Sequence, residues 1–476
     1  MMMETCDLSV LNSRMAGDLE RAASAIKAAK KVMVVTHIDA DGITSGAIAS
    51  FTLKRLGIDH QIVFEKKITE TTITMVNSST EDVVWICDLG SAYLSEFKRS
   101  GIVVTDHHMP DIKWRKKQTF IDDFHDIDHL NPQTYGASGS YEICGAGMTY
   151  LLSKTIDPGN KDLAFLAVIG AIGDLQDQRE SKLISYNRYI LKDAKEAGDV
   201  MIETDLRFFG RENRTLVQFL QYNNEPPIPG ISDNSAGCQK LYSDLGIPLK
   251  KDGESRKWND LDPNEKKAVA DRLLSMVAGD ESVASRIYGE VYSLPRFGSY
   301  NGLKDSKEFA TILNSCGRYD DAETGLRLCM GDMSALEDAD KNRADHRKNI
   351  SSALSYIKEN HLLRERRFVQ YFDAGSEIRE TVVGIVAGML LNSGEVRSEL
   401  PIFAFAEADD GIKVSARATR ALTDRGLDLS LVMKTASEMI GGYGGGHKVA
   451  AGATIPKGKE EDFLDIVEDL VSSQVI

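Results

Sequence analysis

The sequence predicts an α/β protein whose first domain is built on a parallel β-sheet. A length of 476 residues exceeds what one ordinary hydrophobic core organises. Short apolar, β-rich runs alternate with helical stretches near the start and again near the end of the chain, and a turn-rich stretch separates the two. We therefore expect an N-terminal parallel-sheet domain, an inserted α/β or α-rich module, a connecting helix and a smaller C-terminal α/β domain.

The first domain is predicted to occupy residues 1–200. Apolar residues recur at helical spacing over residues 18–29 and indicate an opening helix. Four strands are then predicted at residues 31–36, 60–64, 83–87 and 102–105. Because helical stretches separate them, right-handed crossovers would make these strands parallel.

The rest of the chain divides into three segments. Residues 201–300 are turn-rich and mixed in charge, which predicts an inserted module that contacts a partner rather than performing chemistry. Residues 301–365 predict a linker and a solvated connecting helix. Residues 366–476 predict the second α/β domain, with strands near 402–406 and 412–416 and a final helix after Lys459.

Net charge, cysteine spacing and the length of apolar stretches exclude several classes of function. A net charge of −15 is the opposite of what a protein needs to hold duplex DNA by charge alone. The six cysteines form no CxxC pair, so buried thiols are expected rather than a zinc site or disulfides. No apolar stretch is long enough to span a bilayer, and the N-terminus lacks the features of a secretory signal. We expect a cytoplasmic protein.

Acids and histidines gather in four segments of the first domain, at residues 36–42, 87–90, 105–110 and 172–177. We place all four at the carboxyl ends of strands, where an open parallel sheet binds its ligands. A pair of divalent cations needs several carboxylates, one of them shared, and neutral imidazoles that add no charge. The residues that supply this set are His37, Asp39, Asp41, Asp88, His107 and Asp174.

The spacing of these residues predicts how they meet. If the first strand continues, His37, Asp39 and Asp41 project to the same side, because alternate residues of a strand share a face. Asp88 stands alone at its strand end and is predicted to be shared by both ions. The other histidines considered have no such acid context and are interpreted as surface or packing residues; they are His60, His125, His346 and His361.

A second candidate site lies in the last domain. Ser415 and Arg417 occupy alternate positions of a predicted strand and so share a face that could bracket a phosphate. A glycine-dense loop, residues 441–454, would let the backbone approach a phosphate closely. Its candidate residues are Gly444, Gly445, Gly446 and His447. The alternatives are a tight turn for the loop and outward-facing polar residues for the strand.

The acid and histidine segments resemble the four signature motifs of DHH phosphoesterases. The resemblance rests on the triplet Asp106-His107-His108, preceded by residues 37–42 and Asp88 and followed by Asp174. It implies that two Mn²⁺ or Mg²⁺ ions bind and that the protein hydrolyses phosphoesters. By position, His37, Asp39 and Asp88 would hold one ion. Asp41, Asp88, His107 and Asp174 would hold the other. His108 would lie near the scissile phosphate, and Asp106 would orient the histidines.

The segments at 415–417 and 444–447 resemble the accessory domain DHHA1, which pairs with the DHH domain in RecJ-like nucleases. Residues 303–318 and 328–332 resemble archaeal RecJ-like proteins in particular, in which an insert contacts the GINS replication complex. The resemblance implies an exonuclease of single-stranded DNA or RNA that acts in replication or repair. Bacterial RecJ proteins carry an acid where His37 stands, a departure that leaves hydrolysis intact.

Two further interpretations remain open at this point. The same two domains serve phosphodiesterases of short oligoribonucleotides or cyclic dinucleotides. Other relatives are non-catalytic scaffolds of the replicative helicase, but these lose metal ligands, whereas all six are present here. The inserted module and the overall length favour the nuclease. Phosphate contacts do not distinguish DNA from RNA or one strand polarity from the other.

Overall fold

The computed structural model describes residues 12–111, 127–223, 226–298, 300 and 302–475. Two of the residues considered above, Cys6 and His125, lie outside these ranges. The chain divides into two compact units between residues 342 and 343. The architecture is the mixed α/β arrangement that the sequence predicts, with a parallel sheet in the first unit.

The sheet of the first unit has five parallel strands in the order β2-β1-β3-β4-β5. Its strands are β1 (Lys31–His37), β2 (Asp59–Glu65), β3 (Val83–Cys87), β4 (Ile102–Thr105) and β5 (Ile127–Leu130). All four predicted strands are confirmed within one residue at each end. The fifth was missed because Ile127–Leu130 is short and has two adjacent polar residues, Asp128 and His129, between its two apolar ones.

Helices cover both faces of this sheet. Alternate residues of the strands join one of two apolar clusters. Val34 and Trp85 pack with helices on one face, whereas Val35 and Ile86 pack on the opposite face. Strands buried on both faces are typical of parallel sheets. The helices are α1 (Ser13–Ala28), α2 (Ala40–Leu56), α3 (Glu70–Ser78), α4 (Gly145–Ile156), α5 (Ala164–Gly173) and α6 (Tyr186–Glu196).

An inserted module follows α6 and has a core of its own. It is bracketed by β6 (Met201–Leu206) and β9 (Tyr288–Ser293), which pair antiparallel. Trp258 and Phe219 stack at its centre with ring centroids 4.9 Å apart. The elements between the bracketing strands are α7 (Leu216–Gln221), α8 (Ser235–Asp244), β7 (Lys250–Lys251), β8 (Glu254–Ser255), α9 (Pro263–Met276) and α10 (Glu281–Ile287).

Three helices follow the module. They are α11 (Ser306–Arg318), α12 (Ala322–Cys329) and α13 (Leu336–Glu359). The first two return to the core of the first unit, to which Phe309 and Leu326 contribute. The third is the long connecting helix expected from the charged run, and the division between the two units falls within it.

The second unit contains a six-stranded sheet in the order β10-β11-β12-β13-β15-β14, in which β11 and β12 alone pair in parallel. Its strands are β10 (Arg364–Glu365), β11 (Gln370–Asp373), β12 (Ile402–Ala408), β13 (Gly411–Arg417), β14 (Tyr443–Gly446) and β15 (Ala450–Ile455). Its helices are α14 (Glu380–Asn392), α15 (Arg420–Asp424), α16 (Leu429–Met439) and α17 (Glu460–Val475).

The glycine-dense segment differs from the expected loop. Gly444, Gly445 and Gly446 belong to the edge strand β14, and a tight turn joins this strand to β15. His447 and Ala450 close that turn by exchanging backbone hydrogen bonds of 2.9 and 3.2 Å. The helix α16 packs directly on β14, since a Cβ at Gly444 would lie 2.8 Å from the Met433 carbonyl oxygen. The absence of a side chain at Gly444 therefore allows α16 to pack closely on β14.

The five described cysteines, Cys87, Cys144, Cys238, Cys316 and Cys329, are buried free thiols. Across the part of the chain that the structure describes, every helix is too short or too polar to traverse a bilayer.

Candidate metal centre

Three parallel strands end at the same edge of the first sheet and bring the candidate residues together. Thr36 pairs with Cys87, and Cys87 pairs with Thr105, so the residues that follow these positions are neighbours. These residues are His37, Asp88 and the triplet 106–108. The carboxyl edge of the sheet therefore brings these candidate residues together.

The remaining acids, Asp39, Asp41 and Asp174, lie on different secondary-structure elements from those that the sequence predicts. The first strand does not continue beyond His37, because Asp39 caps α2 by accepting a 3.0 Å hydrogen bond from the Gly42 N–H. Asp41 therefore projects from the first turn of α2. Asp174 is wrongly placed by the strand-end interpretation as well, because it follows the helix α5. The apolar run before it, residues 164–173, fits a buried helix as well as a strand.

Asp88 lies at the centre of the cluster. One of its oxygens is 3.4 Å from His37 Nδ1, and the other is 3.2 Å from His107 Nε2. His37 Nδ1 also lies 3.0 Å from an Asp39 oxygen. Asp88 has a left-handed backbone with φ of 57°, a conformation that aspartate tolerates better than most residues. Asp88, the acid that the sequence predicts to be shared by two ions, thus lies between His37 and His107.

Asp41 and Asp174 lie near the same His107 nitrogen that Asp88 approaches. His107 Nε2 is 3.1 Å from an Asp174 oxygen and 3.8 Å from an Asp41 oxygen. The backbone N–H groups of Gly145 and Ala146, at the start of α4, donate to the two Asp41 oxygens at 2.7 and 2.9 Å. A helix N-terminus favours a negative charge, so α4 reduces the cost of burying this carboxylate.

Two glycines permit the close approach of these helices, and sequence reasoning missed both. A Cβ at Gly145 would lie 2.7 Å from the Asp88 side chain, and one at Gly170 would lie 2.5 Å from an Asp41 oxygen. Any larger residue would displace a carboxylate. The small-residue runs around 145–147 and 170–173 are the available signal.

Each histidine of the triplet is held by a different partner. His107 Nδ1 donates to the Gly139 carbonyl oxygen at 2.6 Å, which directs Nε2 toward the acids. His108 Nδ1 donates to Asp106 at 2.8 Å. Asp106 also accepts the backbone N–H groups of His107 and His108, so the ring that it orients is that of His108. Gln176, which also donates to the Gly139 carbonyl at 2.8 Å, was not predicted to support the site.

The cluster has a buried floor and an open rim. The side chains of Asp41, Asp88 and His107 are at most 4% exposed, whereas those of Asp174 and His108 are 21% and 45% exposed. A small ion fits such a floor, and a larger substrate can reach the rim. Sequence periodicity alone did not predict which of these side chains are buried and which are exposed.

Crowding of acids dominates the electrostatics. Burial, reinforced by the negative charges of Asp88 and Asp174, raises the pKa of Asp41 well above its ordinary value. Burial raises the pKa of Asp174 to about 6, with further contributions from Asp39 and Asp88 and opposition from His107. Burial lowers the pKa of His107, but the surrounding carboxylates outweigh it and raise the pKa overall. The site favours bound positive charge.

The donor atoms fit metal ions. Both oxygens of Asp88 and Nδ1 of His37 are buried and make no hydrogen bond within the described residues, a costly arrangement unless a cation accepts their lone pairs. Carboxylates with imidazoles suit Mn²⁺ and related divalent ions. Three sets of residues each offer donor atoms that lie within 4.8 Å of one another. The sets are His37, Asp39 and Asp88; Asp88, His107 and His108; and Asp41, His107 and Asp174.

The helix α11 packs against residues 36–42, the first of the four acid and histidine segments and here called the first motif. Asn314 accepts a 2.9 Å hydrogen bond from the Ala40 N–H, and a Cβ at Gly317 would lie 1.7 Å from the Ile38 carbonyl oxygen. Arg318, at the end of this helix, interacts electrostatically with Asp39. The segment was recognised as archaeal RecJ-like, but its position beside the acids was not predicted, because 274 residues separate Ala40 from Asn314.

The candidate residues of the second unit occupy one strand and one hairpin. Ser415 and Arg417 share a face of β13, as predicted, and that face meets α14 at Gly384, where a Cβ would lie within 3.0 Å of both side chains. Ser415 is buried, and Arg417 is half-buried and donates to the Ala416 carbonyl oxygen at 2.8 Å. His447 lies in the turn after β14, and its side chain is exposed.

Three family models match the chain. Residues 31–171 match the N-terminal domain of the DHH family, residues 208–288 match the DHH-CID domain and residues 366–473 match the DHHA1 domain. The first match contains the metal-centre residues up to His107 and His108, and the third contains Ser415, Arg417 and the glycine-rich hairpin. The first unit thus matches the DHH and DHH-CID domain models, and the second unit matches the DHHA1 domain model.

Solved structures agree on this fold. RecJ from Thermus thermophilus in complex with Mn²⁺ is 18% identical with a TM-score of 0.56; the match covers 96% of this chain but 55% of the RecJ chain, so this protein spans about half of its length. CDC45 from Entamoeba histolytica is 11% identical with a TM-score of 0.61, and the match covers 97% of this chain and 98% of the other.

A sequence relative matches along almost its entire length. The uncharacterized protein MJ0831 of Methanocaldococcus jannaschii is 28% identical over 472 residues, which cover 96% of this chain and 98% of the relative.

Proposed function

We propose that this protein is a two-metal phosphodiesterase that removes nucleotides from an end of single-stranded nucleic acid, as RecJ-like exonucleases do. The observation that carries the proposal is the Asp88 carboxylate, buried between two sets of donor atoms with no hydrogen bond to either oxygen. A carboxylate in that position suits a ligand shared by two ions.

The proposed ligand sets are those that the family resemblance implies, and the distances within the cluster are compatible with them. His37, Asp39 and Asp88 would hold one ion. Asp41, Asp88, His107 and Asp174 would hold the other. Two Mn²⁺ or Mg²⁺ ions would supply the positive charge that activates water and neutralises the phosphate oxygens. The likeness to RecJ in complex with Mn²⁺ supports this choice of metal.

The chain's own side chains complete the site. The His108 ring, fixed by Asp106 and 45% exposed, is placed at the rim to donate a hydrogen bond to a phosphate oxygen. Arg318, which interacts electrostatically with Asp39, offers a further cation. Both groups would hold the phosphodiester still while water attacks, which is the positioning that phosphoryl transfer requires.

Substrate contacts away from the ions are proposed for the second unit. The residues are Ser415, Arg417, Gly444, Gly445, Gly446 and His447. Because the net charge is −15, binding of a polyanion must come from such local groups and from the ions rather than from the protein's overall field. The proposed context is DNA replication or repair in the cytoplasm.

The decisive experiment is digestion of end-labelled single-stranded DNA and RNA with Mn²⁺ added. We expect a ladder of shortened products, or mononucleotides, that disappears when the metal is chelated. A cyclic dinucleotide and a dinucleotide are tested in parallel, because preferential cleavage of these would favour the small-substrate phosphodiesterase. Cleavage that persists in excess chelator after metal stripping would refute a metal-dependent function.

A non-catalytic scaffold is the second candidate, and the fold likeness to CDC45 favours it. Complete absence of Mn²⁺-dependent hydrolysis on all these substrates, in a folded protein that binds Mn²⁺, would support this alternative. The intact set of donor atoms argues for the enzyme, since a scaffold has no need of buried carboxylates without partners.

The inserted module is proposed to contact a protein partner, with the GINS complex as the candidate. Leu206 pairs with Tyr288, so the two ends of residues 208–287 are adjacent and a short linker can join β6 to β9 in their place. We expect this deletion to spare hydrolysis of short oligonucleotides and to abolish binding of GINS in a pull-down assay. Loss of hydrolysis in a folded deletion variant would assign the module a substrate-binding role instead.

A further inference from the structure

Leu175, which directly follows Asp174, has a backbone conformation that leucine rarely adopts. Its φ is +57°, in the left-handed region that normally favours glycine. The helix α5 ends there, with the Leu175 N–H donating to Ile172 O at 3.1 Å and the Gln176 N–H donating to Ala171 O at 3.0 Å. This pair of bonds is the Schellman motif, whose left-handed position is usually glycine.

The same unit shows what this chain normally places at that position. Five other described helices of this unit end with the same pair of hydrogen bonds. Four of them, α2, α6, α8 and α12, have glycine in the left-handed position, whereas α11 has Asp320, a residue type that tolerates this region. These glycines are Gly57, Gly198, Gly246 and Gly331. A Cβ at any of them would meet nothing within 4 Å, so backbone conformation rather than crowding accounts for glycine there.

Packing does not account for leucine at the end of α5. Leu175 is 55% exposed, while Gln176 takes the inward position and is buried. Met109, which directly follows His108, is also strongly exposed. Large apolar side chains thus follow two of the residues that form the open rim of the metal centre. An exposed apolar group on a strained backbone next to a ligand site indicates a contact with the ligand.

We propose that Leu175 contacts the nucleobase of the nucleotide whose phosphate lies at the metal centre. The inference rests on the proposed function, because it assumes a nucleotide substrate. The ions and His108 bind the charged phosphate, whereas an apolar side chain contributes through the face of the base, which is the part of a nucleotide with removable apolar surface. Leu175 is accordingly a specificity residue that favours nucleotides over other phosphoesters.

The test compares Leu175→Gly with His361→Gly. His361 has φ of +49° at the end of α13 with the same two hydrogen bonds, so both substitutions relax one left-handed residue. Deoxyadenosine monophosphate and inorganic phosphate are titrated calorimetrically into the full-length, Mn²⁺-loaded proteins. For Leu175→Gly we expect the Kd of the nucleotide to rise about three- to tenfold, the scale of losing part of one apolar contact, with the Kd of phosphate unchanged. His361→Gly should change neither.

Thermal unfolding separates this role from a structural one. Glycine should raise the unfolding midpoint of both variants, so only Leu175→Gly would combine higher stability with weaker nucleotide binding. Leu175→Asn, which tolerates the left-handed region but is polar, should show the same binding loss. An unchanged nucleotide Kd, or equal weakening of phosphate, would overturn the proposal. Binding requires no turnover, so absence of cleavage by the wild type would refute the nuclease function separately.

Discussion

The two groups of candidate functional residues differ in what holds them. The metal centre of the first unit gathers side chains from three strand ends and two helices onto a buried floor. The candidates of the second unit lie on one strand and one hairpin, where Arg417 has a backbone acceptor and Ser415 packs against α14. Buried carboxylates without hydrogen-bond partners require an ion, whereas polar residues on a strand face require nothing more. The first group is therefore proposed to perform the chemistry, and the second is proposed to contribute binding.

The largest effect is expected from Asp88→Asn. Losing a shared ligand disrupts both ion sites, so turnover on any phosphodiester should fall below about a hundredth of wild type. The folded protein should be as stable as wild type or more stable, because one of the crowded acids is neutralised. Steady-state kinetics and thermal unfolding measure the two effects.

Asp193→Asn is the matched control, since Asp193 is an equally buried acid with partners. It accepts hydrogen bonds from Tyr150 and Lys154 at 2.7 and 2.5 Å. We expect this variant to lose about 1–3 kcal/mol of stability and to keep its activity. If Asp88→Asn retained more than about a tenth of the wild-type rate, the shared-ligand role would be wrong.

Asp106→Asn is expected to have the next largest effect. Asp106 holds His108 through Nδ1 and two backbone N–H groups, so an amide would loosen the ring without removing a proposed metal ligand. Groups that orient ligands typically contribute about 10- to 100-fold to activity or metal affinity. We expect kcat to fall by that factor while the Mn²⁺ affinity changes little. A fall in Mn²⁺ affinity of the same size would mean that Asp106 acts on His107 instead.

Substitutions in the second unit should discriminate between substrates. Arg417→Ala or His447→Ala should slow cleavage of single-stranded oligonucleotides by about 10- to 100-fold, because a charge-assisted hydrogen bond contributes roughly 1.5–3 kcal/mol. Hydrolysis of a small chromogenic phosphodiester should be nearly unchanged, since remote contacts position only the longer substrate. Equal losses on both substrates would place these residues within the catalytic site, and no loss would leave the hairpin a simple turn.

The smallest effect concerns the helix α11, which supports the first motif. Glu308 on this helix is buried against Asp305 and Glu212, with Arg211 paired to Asp305 at 3.5 Å. Burial raises the pKa of Glu308 to about 7, and Asp305 contributes. The raised pKa means that the folded state favours the protonated carboxyl. Its stabilising contribution is complete below the ordinary pKa near 4.5 and is lost as the pH rises through 7.

The free energy of unfolding should therefore fall by up to about 2–3 kcal/mol between pH 5 and pH 8 through this group. Glu308→Gln should flatten that part of the profile in chemical denaturation. Glu323→Gln, which alters an exposed glutamate on the next helix, should keep the wild-type slope. Parallel profiles for wild type and Glu308→Gln would show that Glu308 does not titrate in this range.

Sequence reasoning predicted the architecture because its signals are local. The runs at 83–87 and 102–105 coincide with β3 and β4, since an uninterrupted apolar stretch bounded by polar residues forms a buried strand. The same reasoning misplaced Asp174, because a ten-residue apolar run fits a buried helix equally well. It also took residues 443–446 for a loop, since glycine density does not reveal an available neighbouring strand.

The sequence by itself determined that His37, Asp88 and His107 would meet. Strands joined by right-handed crossovers are parallel, and residues at their carboxyl ends must then share one edge. Only the tertiary structure decided which atoms lack partners, how α4 and α11 enclose Asp41 and the first motif, and where the rim opens beside Leu175. These features depend on contacts between residues far apart in the chain, whose distances no local pattern encodes.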